Sequence, residues 1–209
     1  MNAGDSKTRR VVLARHGRTP GNQERRYVGG RTDEGLGAVG RAELEASAPA
    51  FAALQSNIRL YASPMRRCLE SAAILFPGMT PTVVEEFREI DFGDFEGKSW
   101  RELADDPRYQ AWLESGGTTT FPGGETRDTF IQRCYNAFCS ILLEDADSSV
   151  PVVCLIHGGT IMAILSVLTG GDYFDFQVAP GQGYEIIVRT VPNGLDLVSY
   201  ARVGDRIRP

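Results

Sequence analysis

The sequence predicts an α/β fold with three layers (αβα): helices on both faces of an open, mostly parallel sheet with an antiparallel edge. Three observations predict it. Short β-branched apolar runs alternate with helix-length segments along most of the chain. The runs at 10–14 and 150–156 are nearly continuous in apolar residues, as strands covered on both faces are. The last two runs, 183–190 and 195–201, flank Pro192-Asn193-Gly194, which reads as a hairpin turn.

The elements follow in order. Residues 10–14 form the first buried strand, and a loop rich in Gly, Arg and polar residues spans 17–37. A helix covers about 38–54, with apolar residues at helical spacing. Residues 58–62 form a second strand. Ser63-Pro64 then reads as an N-cap followed by Pro at the first helical position, and the helix runs to about 76. A third strand lies at 82–85, an irregular stretch at 87–97, and a polar helix at 100–113. A loop at 116–124 precedes a helix at 126–143 that carries Phe130, Tyr135 and Phe138. The strand at 150–156 leads into a helix opened by His157 and ending near 168. No fixed-period repeat or low-complexity linker interrupts this series. A tail over residues 1–9 and one domain over 10–209 are expected.

Composition narrows the function classes. The chain has 209 residues, 42% hydrophobic and 23% charged, which is ordinary for a globular protein and excludes global disorder. No apolar run is long enough to cross a membrane. Residues 1–10 are polar and lack a signal-peptide core, so a cytoplasmic location is expected. The net charge of −5 argues against a nucleic-acid partner. Yet residues 1–31 hold eight basic side chains against two acidic ones. Of the 22 basic residues, 20 are arginines, which suit bidentate recognition of phosphate or carboxylate. Cys68, Cys134, Cys139 and Cys154 form no C-x-x-C pair and read as free thiols. A zinc site is not expected, since there are two histidines and neither lies near a cysteine pair. Oligomeric state is left open, a homodimer included.

The two histidines carry the chemistry. His16 and His157 each follow an apolar strand, and each begins the tetrapeptide H-G-x-T. Open α/β sheets place their ligand crevice at the C-terminal ends of parallel strands, so both imidazoles can face one substrate group. The alternative is a pair of buried, hydrogen-bonded core histidines. No Asp or Glu stands beside either to complete a metal site, and Arg15 next to His16 repels a cation. Arginine and histidine together fit an anion. Gly158-Gly159 at a helix start offers backbone N–H groups to phosphate, and Arg66-Arg67 after the 58–62 strand adds guanidinium donors.

Here the sequence resembles a known family. Arg15-His16-Gly17-Arg18-Thr19, with Asn22, resembles the R-H-G-x-T-x-x-N signature of the histidine phosphatase superfamily, which is phosphoglycerate mutase-like in fold. Gly30-Arg31-Thr32-Asp33 and the 36–40 segment resemble G-x-x-D-x-P-L-T-x-x-G, with Gly35 in place of Pro and Gly37 in place of Thr. The stretch from Ser63 through Arg67 to Ser71 and Ala72 resembles S-x-L-x-R-A-x-x-T-A and singles out Arg67 over Arg66. Glu89 to Gly97 resembles E-x-x-F-G-x-W-E-G, with Phe95 in place of Trp. Pro122-Gly-Gly-Glu125 resembles a segment of the phosphatase branches, and Ile156-His157-Gly158-Gly159 the second-histidine motif. The ordered matches cover residues 11 to 160.

The resemblance implies a phosphatase of the α-ribazole or broad-specificity kind, acting on a small phosphorylated metabolite without cofactor or metal. It implies His16 as nucleophile and Arg15, Arg67 and His157 around the phosphoryl oxygens. Asn22, Thr19, Gly158 and Arg31 are further binding candidates. Glu89 is the candidate proton donor, with Asp91 in reserve, and Glu125 braces an arginine or caps a helix rather than reacting. Trp100 and Trp112 are expected in a core or lid. Pocket residues are expected from 87–125. Two rival readings are a cofactor-dependent phosphoglycerate mutase and a non-catalytic phosphate-binding regulatory module. A C-x5-R thiol phosphatase and a G-x-x-x-x-G-K-[ST] nucleotide loop are both absent from the sequence.

Overall fold

A computed structural model describes residues 8–54, 57–144, 149–192 and 194–203. The strands are β1 (Thr8–Arg15), β2 (Arg59–Ala62), β3 (Thr82–Val83), β4 (Val152–Ile156), β5 (Gly183–Val191) and β6 (Gly194–Arg202). The α-helices are α1 (Pro20–Gln23), α2 (Ala38–Ser47), α3 (Arg66–Leu75), α4 (Trp100–Leu103), α5 (Pro107–Glu114), α6 (Arg127–Leu143) and α7 (Gly158–Thr169).

The sheet order is β3-β2-β4-β1-β5-β6. The first four of these strands are mutually parallel, and β5 and β6 form the antiparallel edge. Adjacent residues of β1 point to opposite faces, and both faces are covered. Val11 and Leu13 pack with Phe138, Ile161 and Leu165 from α6 and α7. Val12 and Ala14 pack with Leu44, Ala72 and Leu75 from α2 and α3. Two-sided burial is why 150–156 reads as an unbroken apolar run. Truncating a fully buried residue such as Leu13 to Ala is worth about 2–5 kcal/mol. A third, aromatic cluster (Phe95, Tyr109, Phe121 and Phe130) lies under the irregular 87–125 stretch.

Prolines and side-chain caps explain where element boundaries differ from expectation. The 38–54 helix divides after Ser47 and continues as a 3-10 turn, Ala48–Leu54, because Pro49 has no N–H for the α-helical ladder. The 100–113 helix is two pieces, with Pro107 in the first turn of α5 and the Asp106 carboxylate accepting the Arg108 N–H at 2.9 Å. The helix expected from Ser63-Pro64 starts later, at Arg66, with Met65 as N-cap, and the Asp33 carboxylate rather than the N-cap side chain accepts the Arg66 N–H, at 2.7 Å. The Ser63 hydroxyl is engaged elsewhere, by His157 at 2.7 Å. Pro20 starts a one-turn helix inside the expected 17–37 loop. Residues 1–7 of the expected tail lie outside the described residues, and Thr8 and Arg9 already belong to β1. Asn193 of the hairpin turn and residues 204–209 also lie outside them. The four cysteines are unbridged.

Candidate active site

Strand register brings the two histidines together. β1 and β4 are parallel neighbours in which Arg15 is opposite Ile156, so the next residues, His16 and His157, leave the sheet side by side. Their ring centroids are 5.1 Å apart, edge to face. The His16 N–H donates to the Ile156 carbonyl at 3.0 Å, which pins the chain at this exit. β2 ends on the other side of β4, and from there Ser63 and Arg67 reach the same spot.

His16 is 3% exposed. Its Nδ1 lies 2.7 Å from the Gly17 carbonyl oxygen, which can only accept. Nδ1 therefore carries the proton, and Nε2 keeps its lone pair. Burial holds the ring well below the usual histidine range, and the Arg67 and Arg15 charges push the same way. His16 is thus neutral near pH 7. His157 is fully buried, and its Nδ1 accepts from Arg67 Nε at 3.2 Å. Its Nε2 then donates to Ser63 Oγ at 2.7 Å. Burial, followed by Arg67, His16 and Arg15, keeps it neutral too.

The arginines divide as the sequence suggests. Arg67 is fully buried and also donates to the carbonyls of Thr32 at 2.7 Å and Gly29 at 3.1 Å. Arg66 is exposed beside Glu70. Arg15 donates from Nη1 to the Val178 carbonyl at 2.7 Å, while its Nε is buried with no partner. An unpartnered buried guanidinium N–H is costly unless an acceptor arrives. Burial lowers the pKa of Arg15, with Glu89 opposing the shift.

Glu89 lies across the helix start from Arg15. Its Oε1 accepts the Ile90 N–H at 3.0 Å and its Oε2 the Gly159 N–H at 3.1 Å. Burial raises its pKa above the usual carboxyl value, and those two N–H bonds with Arg67 and Arg15 restrain the rise. The glycine pair that opens α7 has a steric cause. A Cβ on Gly158 would come within 3.3 Å of the Arg15 guanidinium, and one on Gly159 would collide with Glu89 Oε1.

Other predicted residues serve as braces. Thr19 and Asn22 form a reciprocal capping box on α1, Thr19 Oγ1 accepting the Asn22 N–H at 3.2 Å and Asn22 Oδ1 the Thr19 N–H at 3.3 Å. Thr19 is fully buried there, whereas Asn22 also reaches the cleft. Arg31 is half-exposed and paired with Asp91 at 2.8 Å. That pairing, with Asp91 Oδ1 accepting the Gly93 N–H at 2.8 Å, occupies the reserve acid in the loop. Glu125 does brace an arginine, bidentate to Arg133 at 2.8 Å. The sequence reading did not single out Arg133, which holds the backbone behind Glu89. It donates to the carbonyls of Glu86 at 2.6 Å, Arg88 at 2.7 Å and Glu89 at 3.2 Å. The signal was Glu125 itself, an acid with no reactive partner in the motif.

A cavity of about 310 Å³ opens above this cage. Arg15, Asn22, Glu89, Gly158 and Gly159 line it on the side of the cage, and His16, His157 and Arg67 are buried beside these lining residues. Its outer wall is aromatic, with Tyr27, Phe92, Trp112, Phe121, Tyr173 and Phe174. Trp112 thus lines the cleft rather than only a core, and Trp100 is an exposed surface residue. The wall draws on 87–125 as expected, but also on 26–28, on Arg127 and Met162, and on 173–178.

The fold and the strand-end cleft define the chain as a phosphoglycerate mutase-like α/β protein. Residues 11–196 match the sequence profile of the histidine phosphatase superfamily (branch 1), and the chain belongs to that family. A glucosyl-3-phosphoglycerate phosphatase from Mycolicibacterium vanbaalenii is 29% identical over 186 residues, covering 85% of this chain and 81% of that protein. Mycobacterial relatives at 32% identity are longer: the match spans 69% of this chain and 40% of theirs. Among solved structures, a protein described as phosphoglycerate mutase from Thermus thermophilus superposes with a TM-score of 0.65 at 31% identity, covering 94% of this chain and 99% of that one. A putative alpha-ribazole-5'-P phosphatase from Escherichia coli shares the fold at a TM-score of 0.76 and 22% identity, over 90% and 94% of the two chains.

Proposed function

We propose that this chain is a phosphomonoesterase that works through a phosphohistidine on His16. The observation that carries the reading is the bond from His16 Nδ1–H to the Gly17 carbonyl, which leaves a neutral ring with its Nε2 lone pair available beside an unpartnered Arg15 donor. In the first step Nε2 attacks phosphorus. The bond from phosphorus to the ester oxygen breaks, its electron pair stays on that oxygen, and Glu89 delivers the proton that releases the alcohol. In the second step water attacks the phosphorus, giving its proton to the Glu89 carboxylate. The bond from phosphorus to nitrogen breaks, and its pair returns to Nε2. Arg15 and the first turn of α7 line the cavity where the non-bridging oxygens would lie, and the buried Arg67 adds its charge from behind the lining, where fixed charges contribute most.

The raised pKa of Glu89 supports its assignment as the acid, because a buried carboxyl holds its proton further toward neutrality. The route needs no metal. Hydrolysis of an aryl phosphate should therefore survive EDTA, and denatured enzyme quenched from labelled substrate should carry acid-labile phosphate that is absent from His16→Ala. Label retained in that variant moves the nucleophile elsewhere. A mutase is the second reading, favoured by the 31% identical Thermus protein described as phosphoglycerate mutase. Incubation with 3-phosphoglycerate and a bisphosphoglycerate primer separates the two: 2-phosphoglycerate formed faster than free phosphate establishes the mutase.

A further inference from the structure

The outer wall of the cleft holds a second cation, and its partners differ from those of the other wall arginine. Arg26 is neutralised by Glu24 at 2.6 Å and Glu102 at 2.7 Å. Arg127, at the start of α6, has no carboxylate partner among the described residues. Its Nη2 donates to the carbonyls of Gly116, at 2.9 Å, and Gly117. Its guanidinium stacks over Tyr173 and Phe174, 5.3 and 5.0 Å from the ring centroids. Carbonyls and ring faces orient a cation without cancelling its charge.

A second donor stands beside it. The Trp112 indole N–H is buried without a partner. Trp112 and Arg127 flank the same glycine: a Cβ on Gly117, which has φ +69°, would lie 3.4 Å from Trp112 Cε2, the carbon bonded to the indole nitrogen, and 3.0 Å from Arg127 Nη2. Gly117 thus lets the loop lie close against both residues. Both residues line the cavity that Arg15 and Glu89 also line.

We propose that Arg127 and Trp112 form a carboxylate subsite, and that the substrate is a phosphate monoester whose ring-bearing or apolar body carries a carboxylate distal to the phosphate. The aromatic wall takes the body. One guanidinium and one indole N–H match a singly charged planar acceptor better than a second phosphate dianion. The inference rests on the phosphomonoesterase reading for its phosphate end only.

The test compares benzyl phosphate with its 2-, 3- and 4-carboxybenzyl analogues, whose leaving groups are closely matched. The protein should hydrolyse at least one acid isomer with kcat/KM about tenfold above benzyl phosphate, through KM, the size of a charge-assisted hydrogen bond. Arg127→Gln should bring that ratio close to one. Trp112→Phe, which keeps the ring and leaves Arg127 intact, should lower it about threefold, and this result decides the matter if Arg127→Gln fails to fold. No preference for any acid isomer, or a preference undiminished in the folded variants, overturns the subsite. So does a benzenedimethanol bisphosphate favoured over every carboxylate. Tryptophan fluorescence titrations with benzylphosphonate and its carboxyl analogues need no turnover. If no ester is hydrolysed but the carboxyl phosphonate still binds more tightly, and Arg127→Gln removes that advantage, the phosphatase reading fails and the subsite stands.

Discussion

The inner cage and the outer wall of the cleft are held by different forces. The cage is hung on the sheet. His16 and Ser63 are fixed by backbone bonds to the Ile156 and Leu155 carbonyls, both at 3.0 Å, and the side chains behind them are fully buried. The wall is assembled from short helices and loops held by aromatic contacts. Tyr27 meets Phe92 at 5.0 Å, Trp112 meets Phe121 at 5.0 Å, and Tyr109 stacks on Trp112 at 6.0 Å. Each such pair is worth about 0.5–1.5 kcal/mol beyond its buried area. A strand register cannot slip by a fraction of a residue, whereas ring packing can adjust. On the proposed function, positioning that must be exact for bond-making would sit on strand ends, and the adjustable surface would meet the variable part of the substrate.

Cage substitutions should then act on kcat and wall substitutions on KM. The largest effect is expected for His16→Ala, which removes the proposed nucleophile and should lower kcat by about 10⁴-fold or more. Glu89→Gln comes next, at about 10²–10⁴-fold in kcat. Its pH profile sharpens the assignment. In the proposed first step Glu89 must be protonated, so wild-type kcat/KM, which reports that step, should fall as pH rises through its raised pKa, and this basic limb should be missing from the variant. Arg133→Gln loosens the backbone that carries Glu89 and should cost about tenfold in kcat with little change in KM. Tyr173→Phe in the wall removes only the bond from its hydroxyl to the Gly159 carbonyl, at 3.3 Å, and should change kcat by less than about threefold. A wall variant that lowers kcat as far as Glu89→Gln would erase the distinction.

The same division decides what the sequence could say. The cage was legible because it depends on order along the chain: an apolar strand, then His16, and a second apolar strand, then His157, with Arg67 one helix start away. Parallel pairing does the rest. Gly158-Gly159 was read as a source of N–H donors, and its steric role against Arg15 and Glu89 needed coordinates. The wall was illegible because its residues come from several separate stretches, with no period or motif tying Tyr27 to Trp112 or Arg127 to Tyr173. Arg31 adds a pairing that the sequence does not reveal. It sits inside a motif segment and is cationic, but a nearby carboxylate, Asp91, claims it.

A separate effect lies in stability. Both cage histidines are held below the ordinary value of about 6.5, chiefly by burial and then by Arg67, with Arg15 adding to it. The unfolded chain therefore binds protons that the folded chain refuses. This stabilising contribution is complete above pH 6.5 and is lost as pH falls from there toward the folded-state pKa values. Each histidine should contribute up to about 1.4 kcal/mol per pH unit to the slope of unfolding free energy in that window. His157→Gln should remove one histidine's share, seen as a shallower dependence in urea unfolding between pH 6.5 and 5. Wall variants such as Tyr173→Phe should leave the slope alone. An unchanged slope in His157→Gln would mean that the ring takes up its proton as readily in the folded chain, and the neutral, desolvated cage would be the part of the comparison that gives way.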